Sequence, residues 1–147
     1  MKPLKMSIIT YGHGNVFKPE LIRPIKNRMF IKPDGGLWAS PKDSNYGWSD
    51  WCKENDFGDL SSKFELIYEG NTIIISKTSC LKKLIIQPGW DKRYYFYPDF
   101  EMMLQLGVDG IFLTEQGEEN TRFSIPGLYG WDCESLLVLN PKSVHTP

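Results

Sequence analysis

The chain has 147 residues, with 17 lysines and arginines against 18 aspartates and glutamates and a formal charge of −1. That length fits one domain with a real core, and the near-neutral balance lacks the broad positive footprint of nonspecific nucleic-acid binding, without excluding nucleic acid as a partner. Cys52, Cys80 and Cys133 are an odd set without CxxC spacing, which argues against a disulfide framework and against a structural zinc site. No apolar run reaches membrane-spanning length, and Met1–Thr10 has neither a signal-peptide core nor a small-residue cleavage site. The expectation is a reduced, cytoplasmic protein with no metal and no membrane partner.

Short strands predominate along the chain. Ser7–Tyr11 is predicted as the first, and it ends in Thr10-Tyr11-Gly12-His13-Gly14-Asn15. There two glycines let a ligand approach the backbone, and the imidazole between them offers a donor or an acceptor. A helix over Pro19–Asn27 is limited by Pro24. Leu37–Ser40 is the next strand, inside Lys32-Pro33-Asp34-Gly35-Gly36-Leu37-Trp38-Ala39-Ser40-Pro41, and a weak helix follows over about Ser44–Asn55. Trp38 with Tyr46, Trp48 and Trp51 can wall a trough for a flat heteroaromatic ring, although an aromatic cluster by itself is more often core.

Further on, Lys63–Tyr68 and Thr72–Ser76 read as strands joined by a hairpin turn at Glu69-Gly70-Asn71. Lys83–Gln87 reads as another strand. Asp99 caps a helix in which Phe100, Met103 and Leu104 share a face and which Gly107 closes. After the strand Gly110–Thr114, the polar run Gln116–Asn120 reads as a solvated connection.

The last predicted strand, Ser135–Leu139, is preceded by Asp132-Cys133-Glu134. Strand alternation puts both acids on one face, roughly 7 Å apart, and Cys133 on the other. An acid pair at a strand mouth is a candidate site, and it is equally a strand-edge cap. Residues from about 141 to 147, with His145, read as a tail. The class is α+β with mostly antiparallel strands, lacking the strand–helix alternation of a doubly wound sheet.

His13-Gly14 after the first strand, Gly36-Leu37-Trp38-Ala39-Ser40 leading to Ser44 and Trp48, and Glu134 opening Ser135-Leu136-Leu137-Val138-Leu139 follow an order that resembles the ADP-ribosyltransferase fold. The likeness is to the diphtheria-toxin and poly(ADP-ribose) polymerase branch, with its His-Tyr-Glu pattern. It implies a single domain over residues 1–147 built on mostly antiparallel split β-sheets with a few short helices, and NAD as co-substrate. By that resemblance His13 binds the adenosine-side ribose, and the Gly14 backbone holds the nicotinamide carboxamide. Trp38 replaces the first tyrosine, and Trp48, or Tyr46 or Trp51, supplies the second stacking ring. Ser40 and Ser44 lie in the binding strand and at its exit, Ser40 holding the glutamate or the ribose.

Glu134 then stabilises the oxocarbenium-like state that forms as nicotinamide leaves. Asp132, two before it, resembles the earlier acid of the Arg-Ser-Glu branch, which orients or activates the acceptor, but the first strand has no arginine for that branch. Trp38 lacks the tyrosine hydroxyl, so a bond made by that group comes from elsewhere.

The implied activity is NAD-dependent mono-ADP-ribosyl transfer to a macromolecule. Whether the acceptor is protein or nucleic acid is left open. By analogy the setting is a toxin, with an antitoxin or a host target as partner, or a modifier in phage–host conflict. The alternative is a noncatalytic module that holds a nucleotide or a peptide in the same aromatic cleft.

Overall fold

The computed structural model describes residues 1–88, 97–124, 127–128 and 130–147. Among these, in chain order, are strands β1 (Lys2–Tyr11), β2 (Arg23–Lys26) and β3 (Asp34–Pro41), then helix α1 (Trp48–Asn55) and strand β4 (Lys63–Ile75). Helix α2 (Phe100–Gln105), strand β5 (Gly110–Leu113), helix α3 (Glu115–Thr121) and strands β6 (Ser135–Val138) and β7 (Val144–His145) complete the set. The strands follow the order β1-β3-β6-β5-β4, and β1 pairs again with β4, so five strands close into a barrel. The α+β class holds. The mostly antiparallel pairing holds too, but the split sheets do not: the ring is closed, and it is mixed through one parallel pair, β5 with β4, from Thr72↔Gly110 to Ile75↔Leu113.

Closure depends on β4. Its burial alternates along Lys63–Tyr68 and again at Ile73–Ile75, and all ten residues of β1 pair with it, from Lys2↔Thr72 to Tyr11↔Lys63. The expected turn at Glu69-Gly70-Asn71 is therefore continuous strand, since a full ladder with β1 outweighs local turn propensity. Gly70 serves a packing purpose there. A Cβ on it would lie 2.6 Å from the Asp109 Cβ, and the Asp109 carboxylate accepts the Asn71 N–H at 2.7 Å.

Other expectations change for similar reasons. Pro19–Asn27 is a single 3-10 turn, Pro19–Leu21, followed by β2, an edge strand that tolerates Pro24. Lys83–Gln87 is not a strand. Thr78–Lys83 is a 3-10 turn burying Cys80 and Leu81, and Ile86 makes an isolated bridge to Pro98. The polar run 116–120 is helix α3, with Thr114 accepting the Gly117 N–H at 3.0 Å and Arg122 holding Glu118 at 2.9 Å. Gly117 is buried, and any Cβ there would collide with the Ile75 carbonyl, so only glycine lets α3 lie against β4. The tail is docked: Val144 and His145 pair with Tyr68 and Ile67 as β7. Helix α2 is as expected, with Asp99 accepting the Met102 N–H at 3.0 Å.

Two cores result. Ile8, Leu37, Ala39, Leu66, Tyr68, Leu136 and Val138 form one, gathered from β1, β3, β4 and β6. Ile75, Phe100, Met103, Ile111, Leu113, Trp131 and Leu137 form the other, with α2 packed on it. Thus β6, buried at every position, is shared by both and carries the segment before it, 130–134, to the end of β3. Among the described residues no helix is long and apolar enough to cross a membrane.

Candidate functional site

Where β1 and β3 end beside the segment entering β6, a cleft of about 270 Å³ opens. Its walls include Ile9, Tyr11 and His13 from the end of β1, Trp38 and Ser40 from β3, Trp48 at the start of α1, and Trp131, Asp132 and Cys133 before β6. Five residues singled out in the sequence, His13, Trp38, Ser40, Trp48 and Asp132, thus meet in one place.

Local chemistry fixes each wall. Gly12 and Gly14 adopt φ of 81° and 86°, the left-handed region that glycine enters without strain, and the loop between them is tied to the start of β4. Gly12 donates to the Ser62 carbonyl at 3.1 Å, and Gly14 to the Ser62 hydroxyl at 3.2 Å. The Gly14 N–H assigned to a carboxamide is thus occupied by Ser62, while His13 between the glycines reaches the cleft and is exposed. Thr10 is buried and donates its hydroxyl to the Trp38 carbonyl at 3.1 Å, holding β1 to β3 at the floor.

Ser40 is the hinge pin of the site. Its hydroxyl donates to the Glu134 carbonyl at 2.9 Å and accepts the Trp48 N–H at 2.9 Å, joining β3, the first turn of α1 and the approach to β6. The Glu134 N–H donates to the Tyr46 carbonyl at 3.0 Å, a second tie between the same segments. Ser40 therefore positions backbone and does not offer its hydroxyl to a ligand. Ser40→Ala leaves two partly buried backbone groups without this partner, and we expect a loss of about 1–3 kcal/mol in urea unfolding.

The rings are arranged in two groups. Trp38 meets Trp131 edge to face, centroids 4.7 Å apart at 81°, and the Trp131 indole N–H donates to the Ile31 carbonyl at 2.9 Å. Trp48 stacks on Trp51 at 5.2 Å and 16°, with Phe57 edge-on to both. Trp51 backs Trp48 and Trp48 lines the cleft, so Trp48 is the second aromatic wall. Tyr46 points elsewhere: its hydroxyl donates to Glu54, and with Trp51, Glu115, Glu118, Glu119, Arg122 and Asp132 it lines an adjoining groove.

The acids separate. Residues 131–134 are not strand, so alternation does not apply to them, and Asp132 and Glu134 face different spaces. Asp132 lines both the cleft and the adjoining acidic groove, with Arg122 3.8 Å away. Glu134 turns away from the cleft to accept the Glu115 N–H at 3.1 Å. It lines a different groove, with Lys5, Lys42 and Ser44. The expected common face for the two carboxylates is thus corrected, and Ser44 goes with Glu134. Ser44 spends its hydroxyl on the Tyr46 N–H at 3.2 Å.

Cys133 lies on the cleft side although it was expected opposite the acids, again because the strand begins only at Ser135. Burial pushes its thiol up from 9.0 to about 11, against smaller lowering effects of hydrogen bonds with Ser135 and Ser40. With the folded pKa above the unfolded one, its contribution to stability is complete below about 9 and is lost as the pH rises towards 11. We expect Cys133 to resist iodoacetamide in the native protein at pH 8 and to react once the chain is unfolded, as peptide mass mapping would record.

Trp131 and Lys32 are cleft residues that were not singled out from the sequence. Trp131 acts through a partner 100 positions away, for which no local signal exists. Lys32 lines the cleft with its ammonium 5.6 Å from the Trp38 ring centroid; its place in the Lys32–Pro41 segment was the only pointer. Among the described residues no group of histidine, cysteine and acidic side chains is placed to hold a metal ion. No family model matches the chain, and no curated protein or solved structure matches it.

Proposed function

We propose that the chain is an NAD-consuming mono-ADP-ribosyltransferase whose site is the cleft at the ends of β1 and β3. The observation that carries the reading is the meeting of His13, Trp38, Trp48 and Asp132 around one cavity, in the chain order that resembles the His-Tyr-Glu branch. Trp38 and Trp48 provide flat apolar surface for the nicotinamide ring, and His13 provides a hydrogen bond for a ribose hydroxyl. Asp132 is the carboxylate of the cleft. As the ribose C1′–nitrogen bond breaks, nicotinamide departs neutral with the bonding electron pair, and positive charge develops on the ribose. A fixed carboxylate stabilises that charge more than the ground state. The acceptor then forms its bond to C1′ and gives up a proton to solvent water.

This assigns to Asp132 the role that the resemblance alone gave to Glu134. The groove beside Asp132 carries Glu54, Glu115, Glu118 and Glu119 around Arg122, which favours a protein acceptor over the phosphates of a nucleic acid. An effector role in the cytoplasm, as a toxin or in phage–host conflict, belongs to the same proposal. The orientation of Glu134, bonded to the Glu115 N–H, favours one second reading, a noncatalytic nucleotide-binding module. The experiment that separates them is nicotinamide release from NAD by purified protein, with cell lysate as a source of acceptors. Release with labelling of a lysate component supports the transferase; NAD binding without release supports the module.

A further inference from the structure

We infer that Lys32 is the anion-binding residue of this cleft and that the cleft therefore takes a phosphate-bearing ligand, with the phosphates at the Lys32 end. The inference deepens the proposed function by naming which residue would receive the diphosphate of NAD.

Among the described residues lining the cleft, formal charge at neutral pH sits on two side chains, Lys32 and Asp132. Asp132 has a cation of its own in Arg122. Lys32 is partly buried, and its described contact is with the Trp38 ring face, a weak interaction at a site that solvent reaches. Its neighbours are held. The Ile31 carbonyl takes the Trp131 indole N–H and the Ile31 side chain packs against the core, while Pro33 is buried. The backbone of residue 32 is thus clamped on both sides while the long side chain can turn. A ring that stacks on Trp38 displaces the ammonium, and a phosphate in the same ligand offers it a charge-assisted hydrogen bond in exchange. A ligand with a flat ring and no anion pays for the displacement without that return. One cation and one carboxylate in a single cleft also orient the ligand, with its anionic part at Lys32 and the developing positive charge at Asp132.

The test is isothermal titration of wild type, Lys32→Gln and Lys32→Arg with NAD, ADP, inorganic pyrophosphate and neutral benzamide, with circular dichroism to confirm folding. Lys32→Gln is expected to weaken NAD and ADP by about tenfold or more, in a salt-dependent way, and to leave benzamide as tight or slightly tighter, since its ring no longer displaces the ammonium; Lys32→Arg restores most of the affinity. Unchanged NAD and ADP affinity in Lys32→Gln overturns the inference. So does an equal loss for benzamide, which would mean that Lys32 only shapes the Trp38 ring. Lys32-dependent binding of ADP and pyrophosphate by a wild type that neither binds benzamide nor releases nicotinamide sinks the transferase reading and upholds the anion site. Binding of none of the three anions by wild type removes both.

Discussion

Asp132→Asn is expected to lower nicotinamide release from NAD by roughly a hundred- to a thousandfold, with KM for NAD changed little and the unfolding midpoint near that of wild type. The amide keeps the shape of the side chain and removes its charge. On the proposed mechanism that charge matters most when the ribose becomes cationic, so the loss would fall on kcat and not on ground-state binding. The 3.8 Å approach of Arg122 is long and partly exposed, which keeps the structural penalty small. Glu134→Gln is the paired control. Its carboxylate serves the Glu115 N–H in another groove, and the amide oxygen can still accept that bond, so release should stay close to wild type. If Glu134→Gln abolished release and Asp132→Asn spared it, the assignment of the cleft carboxylate would be wrong.

Trp131→Ala should be the most damaging single change to the fold, at about 3–5 kcal/mol in urea or thermal unfolding. Trp131 is 1% exposed and belongs to the core that includes Leu137, Leu139 and Phe100. Its edge-to-face contact fixes Trp38, and its indole N–H holds the Ile31 carbonyl next to Lys32. Truncation therefore leaves a cavity, an orphaned carbonyl and a loosened cleft wall together. Trp131→Phe separates these effects, since it refills most of the volume and loses only the hydrogen bond, about 1 kcal/mol. Its NAD affinity should nonetheless fall, because the stretch carrying Lys32 is released. An NAD affinity equal to wild type in a folded Trp131→Phe would show that this tie does not position the site.

Much of the local structure was legible because local chemistry is enough for it. Helix α2 has a capping aspartate, an apolar face and a closing glycine within nine residues, and it forms as expected. The strand cores of β1, β3, β5 and β6 carry the β-branched and apolar runs that mark them. Helix α3 was not legible, since what makes it possible is a glycine facing the Ile75 carbonyl of a distant strand, and its polar sequence shows no apolar stripe. The unbroken course of β4 through Glu69-Gly70-Asn71 was hidden for the same kind of reason: ten pairings with β1 hold it straight.

Local sequence was enough for the α+β class, one capped helix and the positions of the aromatic and histidine-bearing segments, because these follow from hydrophobic periodicity, caps and glycine placement over short spans. Tertiary structure alone decided that five strands close into a mixed barrel and that Trp48, not Tyr46, faces the cleft. It likewise decided that Asp132 and Glu134 look into different spaces and that Lys32 and Trp131 belong to the site. The physical reason is reach. Ser40 ties Glu134 and Trp48 across 94 and eight positions, and Trp131 grips Ile31 across 100, bonds that orient side chains without leaving a periodic trace in the chain.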